Sequence, residues 1–133
     1  YQPDVDVEDS AVVPRLKLSH HDELLLRVQW TGLLREHVDA DLGTTGGIRR
    51  AEDIVKLGMM GSSACFVAST LLEHGLEGIQ RMRRDLDAWL SSHDFRSFRD
   101  LVERRDVQNL SSLQRVQYLR TLESWDPDSR TLR

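Results

Sequence analysis

Hydrophobic and polar positions divide the chain into segments with helical and strand-like spacing. Apolar residues recur every three or four positions between 19 and 37 and between 51 and 60, which predicts two helices. Residues 38–44 form a short segment bounded by glycine, and the continuous apolar run 63–69 is typical of a strand buried on both faces. A strand, a helix and a strand in this order predict a parallel β-α-β unit with a right-handed crossover.

The N-terminal segment has a different character. Residues 1–18 are acidic and irregular, and the alternation within VVPRLKLS, residues 12–19, predicts one short edge strand that tolerates Pro14. Ser19 is predicted to be the N-cap of the first helix, because Asp22 follows three residues later in a near capping box.

Helical spacing resumes after the second predicted strand. From Gly75 onward, apolar positions at helical spacing predict a helix that contains Ile79, Met82, Leu86, Trp89 and Leu90. Two further short helices are predicted at 95–105 and 111–123. The sequence contains no internal repeat and no low-complexity linker.

Composition and charge indicate a soluble, single-domain protein. The chain has 133 residues, enough for one domain with a core, and 39% hydrophobic with 30% charged residues is ordinary for a soluble globular protein. A net charge of −4 gives no reason to expect nucleic acid as a partner. The single cysteine, Cys65, excludes an internal disulfide framework and fits a reducing compartment. No membrane-spanning run and no secretory signal is visible, so a cytoplasmic location is expected.

Two pairs of small residues follow the two predicted strands. Gly46-Gly47 precede the helix at 51–60, and Ala68-Ser69 end the second strand. Glycines at such a turn let backbone N–H groups approach an anion, and the start of a helix adds its dipole. A lone Gly-Gly pair is better explained by a tight turn, but loops after the last two strands of a (β/α)₈ barrel are a recurrent phosphate site. The two pairs together therefore predict one phosphate site shared by neighbouring loops.

The remaining reactive side chains form no catalytic or metal-binding set. The histidines lack metal-ligand spacing, either with the cysteine or with a carboxylate cluster, and are interpreted as surface or capping residues. Cys65 is predicted to be buried and unreactive within its strand. The tryptophans are interpreted as packing residues, and the basic cluster at 81–84 as a solvated helix face. These residues are His20, His21, His37, His74, His93, Trp30, Trp89, Trp125, Arg81, Arg83 and Arg84.

The segment GTTGGIRRAEDIVKLGMMGSSACFVASTLLEHG, residues 43–75, resembles the last two β/α units of dihydroorotate dehydrogenase-like flavoproteins, which are FMN-binding TIM barrels. The similarity extends to both ends of the chain. YQPDVDVE resembles the stretch after the sixth strand of the bacterial subgroup, and LLLRVQWTGLLRE resembles its sixth helix. LDAWLSSHDFRSFRDL and VQYLRTLESW resemble its C-terminal extension.

The resemblance implies roles for five residues. Gly46 and Gly47 match the glycine pair whose amides hold the FMN phosphate, with Thr45 at the preceding strand end, and Ala68 and Ser69 match the second phosphate-binding turn. The sequence also departs from the family pattern. Arg50 stands where a threonine usually caps the helix, and Gly61-Ser62-Ser63 replaces the usual Gly-Ala-Asp. The first change is expected to weaken the start of the helix.

The resemblance implies an α/β fold made of the C-terminal β/α units of a TIM barrel with a helical C-terminal extension. On this view residues 1–18 are a loop with a short strand, 19–92 are the last barrel units with the phosphate-binding part, and 93–133 are the extension. A barrel needs roughly 250 residues, and the family's catalytic base, flavin-contacting lysine and substrate asparagines belong to segments before Tyr1. We therefore expect a piece of something longer, or a processed product, that is inactive alone and contributes no catalytic or metal-ligating residue.

Three hypotheses for the function remain open. In the first hypothesis, the chain is part of an FMN-dependent oxidoreductase of the pyrimidine biosynthesis type that acts on a dihydroorotate-like substrate. Its partner is then the rest of the barrel, and a homo-oligomer is possible. The second is a truncated, non-catalytic partial barrel that associates with itself or with another chain through exposed strand edges. The third, another phosphate-binding barrel, is disfavoured by the match at both chain ends.

Overall fold

The computed structural model describes residues 2–104, which form a mixed α/β arrangement with two small sheets and no closed barrel. The first sheet pairs two N-terminal strands, and the second pairs the two central strands. In chain order the elements are β1 (Gln2–Asp6), β2 (Ala11–Arg15), α1 (Glu23–His37), β3 (Leu42–Thr45), α2 (Ala51–Met59), β4 (Ser62–Phe66), α3 (Ser69–Ser92) and α4 (Phe98–Glu103).

The central β-α-β unit confirms the predicted topology. Strands β3 and β4 are adjacent and parallel, with Thr45 opposite Phe66, and α2 connects them. Both strands are shorter than expected: β3 begins only at Leu42, and β4 ends at Phe66. The predicted strand end at Ser69 is wrong, because Ser69 is the first residue of α3.

Residues 2–15 form an antiparallel hairpin rather than a loop with a single strand. The register places Val5 opposite Val12, and Arg15 forms an ion pair with Asp4 at 3.0 Å. The Asp6 side chain accepts hydrogen bonds from the amides of Glu8 and Asp9, which closes the turn. The acidic stretch therefore takes part in a turn that composition alone did not predict.

Helix α1 begins later than its predicted N-cap, and the prediction for Ser19 is wrong. The helix starts at Glu23, and the Glu23 side chain accepts a hydrogen bond from the His20 amide at 3.0 Å. This contact between His20 and Glu23 lies one residue beyond the predicted Ser19–Asp22 pair. The hydroxyl of Ser19 is instead engaged with Ser69, 50 residues away.

Helix α2 is central to the packing, because its apolar residues enter two separate hydrophobic clusters. Leu57 is fully buried in the first cluster, and Val55 is buried in the second. The first cluster joins α2 to α1, to the loop after β3 and to α3, through Leu24, Ile48, Leu57 and Met82. The second cluster joins α2 to α3 and α4, through Val55, Leu90 and Leu101.

Only one face of the β3–β4 sheet is covered by the described part of the chain, so the prediction of a strand buried on both faces is wrong for β4. Thr44 and Ser62 are buried beneath the helices, whereas Ala64 and Phe66 are exposed on the other face. Trp30 of α1 is also 54% exposed, which contradicts its interpretation as a packing residue. Trp89 does pack, stacked on His93 at 4.0 Å between ring centroids.

Helix α3 contains a break that the sequence pattern did not predict. Gly75 adopts φ 62° and ψ −163°, so a short helical segment at 69–74 precedes the long helix expected after Gly75. The predicted helix at 95–105 is present as the shorter α4, which Ser97 caps by accepting a hydrogen bond from the Asp100 amide. The predicted helix at 111–123 and Trp125 lie outside the described residues.

Cys65 is half-buried against the first cluster rather than fully buried. Burial nevertheless raises the pKa of its thiol to about 11, and a hydrogen bond with Ser62 offsets this only in part. The thiol is therefore protonated at neutral pH, as an unreactive cysteine requires.

We predict slow chemical labelling of Cys65 in the folded chain. At pH 7.5 the thiolate fraction is about three hundredfold lower than for a free cysteine with a pKa near 8.5, so alkylation should slow by roughly that factor. Mass spectrometry of iodoacetamide-treated protein measures the rate, with the chain in denaturant as the control. Equal rates in the folded and unfolded chain would contradict the protected thiol.

Candidate functional site

The two small-residue pairs lie at the same edge of the central sheet. Gly46 and Gly47 follow β3, and Ala68 and Ser69 lie two and three residues beyond the end of β4. Because the strands are parallel and adjacent, both turns are at their carboxyl ends, where ligands bind in α/β folds. The Thr45 hydroxyl donates a hydrogen bond to the Phe66 carbonyl at 3.2 Å, which ties the two strand ends together.

Both glycines have backbone angles that favour glycine, with φ 99° at Gly46 and 76° at Gly47. The environment of Gly47 adds a second, steric requirement. A Cβ there would lie 2.5 Å from the Leu24 amide nitrogen and 3.0 Å from the His20 carbonyl oxygen. Gly47 therefore lets the turn approach the first turn of α1, a role that sequence reasoning attributed only to anion binding.

The hydroxyl of Ser69 has partners within the protein. It accepts a hydrogen bond from the Ser19 amide at 2.9 Å, and it shares a hydroxyl–hydroxyl hydrogen bond of 2.9 Å with the Ser19 side chain. The next residue, Thr70, is buried and donates its hydroxyl to the Ile48 carbonyl at 2.9 Å. The start of α3 is thus bonded both to the segment before α1 and to the glycine turn.

Arg49 links the same three segments through its side chain. Its guanidinium donates to the Ser19 carbonyl and to the Glu73 carboxylate, with which it forms an ion pair. Sequence reasoning missed Arg49, Ser19 and Thr70, because their partners are 22 to 50 positions away along the chain. These contacts hold the two turns in a fixed relation.

The start of α2 is capped by Asp53, which compensates for Arg50 at the position of the expected threonine. The fully buried carboxylate of Asp53 accepts hydrogen bonds from the Arg49 and Arg50 amides through Oδ2, at 2.8 and 3.1 Å. His21 Nδ1 lies 3.4 Å from the same oxygen. The other oxygen, Oδ1, accepts no hydrogen bond within residues 2–104 and lies 3.7 Å from Arg50 Nε. The expected weakening of this helix start is therefore offset.

The start of α3 has no side-chain cap. Ala68 occupies the N-cap position and is exposed. The first amides of a helix have no intrahelical acceptor, so those of Ser69, Thr70 and Leu71 are the backbone donors that the fold presents at this edge. The Ser69 hydroxyl, by contrast, already has partners within the protein.

Elsewhere in residues 2–104, no group of three His, Cys, Asp or Glu side chains is arranged to hold a metal ion. Across that range, no helix combines the length and the apolar character that crossing a membrane requires. The basic cluster at Arg81, Arg83 and Arg84 is exposed on α3, as predicted.

Comparison with known proteins does not assign the chain to a family. No protein-family model matches the sequence, and no curated protein matches it. The function is therefore argued from the residues at the two turns and from their geometry.

We predict that Gly47→Ala destabilises the chain more than Gly46→Ala. Both changes put a side chain at positive φ, but the Cβ at position 47 meets backbone atoms that cannot move aside. At position 46 it meets the end of the Arg27 side chain, which can move at the cost of one hydrogen bond. The free energy of unfolding should fall by about 2 kcal/mol more for Gly47→Ala. Denaturant unfolding measures both values, and equal losses would contradict the role of close packing at Gly47.

Proposed function

We propose that the chain is the C-terminal part of an FMN-dependent, dihydroorotate dehydrogenase-like oxidoreductase and that it supplies the loops that bind the FMN phosphate. The observation that carries the proposal is the pair of turns at the carboxyl ends of β3 and β4, which hydrogen bonds join into one edge. A site built this way can hold a phosphate with backbone amides from both turns.

The break in α3 supports the same reading. Phosphate sites of TIM barrels are frequently formed by the loops after the last two strands and by the N-terminus of a short extra helix. The segment 69–74, which ends at Gly75, has the position and length of such a helix. The hydrophobic pattern predicted a helix only from Gly75 onward. The short segment before Gly75 is therefore an observation that comes from the structure and not from the sequence pattern.

In this proposal the chain binds and orients the cofactor and does not carry the reaction. Bound FMN would accept a hydride from a dihydropyrimidine substrate. Thr45, Gly46, Gly47, Ala68 and Ser69 would contribute the phosphate anchor, through backbone amides for the glycines and for Ser69. The groups that contact the flavin ring and the substrate would come from the remainder of the barrel, and the enzyme would be cytoplasmic.

A second candidate function is a non-catalytic module that associates with itself or with another chain. The bare sheet face supports it, since Phe66 is 61% exposed on that face. The outer edge of β3, which has no strand partner within residues 2–104, supports it as well. A groove of about 250 Å³ runs along that strand beside Trp30 and Leu34. Sedimentation of the complete protein, followed at flavin wavelengths, separates the candidates: an oligomer that carries no FMN favours the module.

We predict that Ala68→Asp in the complete flavoprotein removes FMN without unfolding the protein. Aspartate is a favoured N-cap residue, so it should stabilise α3, but its carboxylate would occupy the free amides and repel a phosphate. The matched control is Ala68→Asn, which also caps a helix but carries no charge. Absorbance at flavin wavelengths per polypeptide, with circular dichroism as the folding check, measures the effect. Full flavin occupancy in folded Ala68→Asp protein would contradict the proposal.

A further inference from the structure

The glycine turn has a cationic neighbour that the resemblance does not assign. Arg27 of α1 donates a hydrogen bond from Nε to the Thr45 carbonyl at 3.1 Å. The same guanidinium lies against Gly46: a Cβ on this glycine would be 3.0 Å from Nε and 3.5 Å from Nη2. Arg27 is therefore held beside the turn on the side of α1.

The hydrogen-bonding capacity of Arg27 is only partly used. A guanidinium has five N–H donors, and within residues 2–104 only Nε makes a hydrogen bond. Nη2 lies 3.6 Å from Glu23 Oε2, outside hydrogen-bond distance, and the side chain of Arg27 remains 37% exposed. The other Glu23 oxygen accepts a hydrogen bond from the His20 amide, so the carboxylate contacts both Arg27 and the backbone before α1.

We propose that Arg27 is an anion-binding residue of this site and that its terminal nitrogens contact a phosphate group held at the Gly46 turn. The inference rests on the proposed phosphate site and adds a side-chain ligand to the backbone amides. Anchoring through Nε fixes the planar group beside the turn, so little side-chain entropy is lost when its remaining donors meet an oxyanion.

Glu23 has an opposing role in this arrangement. Its carboxylate lies within ion-pair distance of Arg27 and lowers the positive potential that an approaching phosphate would meet. Removing the charge of Glu23 should therefore strengthen phosphate binding, whereas removing the charge of Arg27 should weaken it. Opposite effects of the two changes distinguish a ligand role for Arg27 from a structural one, since loss of a structural contact would weaken binding in both variants.

The test is a titration of the chain with inorganic phosphate at constant ionic strength, followed by the amide chemical shifts of Gly46, Gly47 and Ser69. Arg27→Gln should weaken binding about tenfold, as expected for the loss of a hydrogen bond to a charged group. Glu23→Gln keeps an acceptor for the His20 amide and should bind about twofold more tightly. The matched control is Arg83→Gln, because Arg83 also faces a carboxylate four residues away but lies on the exposed side of α3.

The outcomes separate the inference from the function on which it rests. Weaker binding in Arg27→Gln with tighter binding in Glu23→Gln, and an unchanged Arg83→Gln, supports Arg27 as a ligand. If the amides respond equally in the unmodified chain and in Arg27→Gln, the role of Arg27 is overturned and the phosphate site stands. If the amides of the unmodified chain do not respond to phosphate, the phosphate site fails and Arg27 has no ligand there.

Discussion

The close approach of the glycine turn to the start of α1 is the contact on which the rest of the arrangement depends. Gly47 lies where a Cβ would collide with the Leu24 amide, so the turn and the helix can meet only through backbone. This contact places Leu24 and Ile48 together in the first hydrophobic cluster. The segment before α1 also meets the start of α3, where the Ser19 amide donates a hydrogen bond to the Ser69 hydroxyl.

The same contacts explain how a polar edge of the sheet is kept in place. Buried polar groups need partners, and Thr70, Ser69 and Asp53 meet this need with carbonyl, hydroxyl and amide groups from the neighbouring turns. Two exceptions remain within residues 2–104: Asp53 Oδ1 accepts no hydrogen bond, and Arg27 keeps unused donors beside the glycine turn. The backbone amides at the start of α3 have no side-chain cap, and in the proposed function they are donors to the phosphate.

The sequence predicted the central topology because that topology follows from local pattern. The apolar run around Cys65 and the helical spacing of Ile54 and Val55 are enough to predict strand, helix and strand, and the order of elements then requires a parallel pair. The strand ends were less predictable. Ser69 belongs to a helix rather than to a strand, because its hydroxyl and that of Thr70 find partners distant in sequence.

The sequence predicted which two turns form the candidate site, but it did not predict the contacts that hold those turns in place. Small residues at positions 46, 47, 68 and 69 predicted two turns at the same edge of the sheet, and the parallel pairing of β3 and β4 confirms that the turns share an edge. Close packing against α1 explains why position 47 is a glycine. A sequence pattern cannot reveal this reason, because it does not show which helix approaches the turn. Arg27 and Arg49 were missed for the same reason, because a lone arginine in a helical or loop pattern is ordinary.

A crystal structure of the complete protein crystallised with FMN tests the proposed function most directly. The account predicts a single phosphate whose oxygens lie within about 3.2 Å of amide nitrogens from both turns, at Gly46 or Gly47 and at Ser69 or Thr70. A phosphate bound by one turn alone, or at another edge of the sheet, would contradict it.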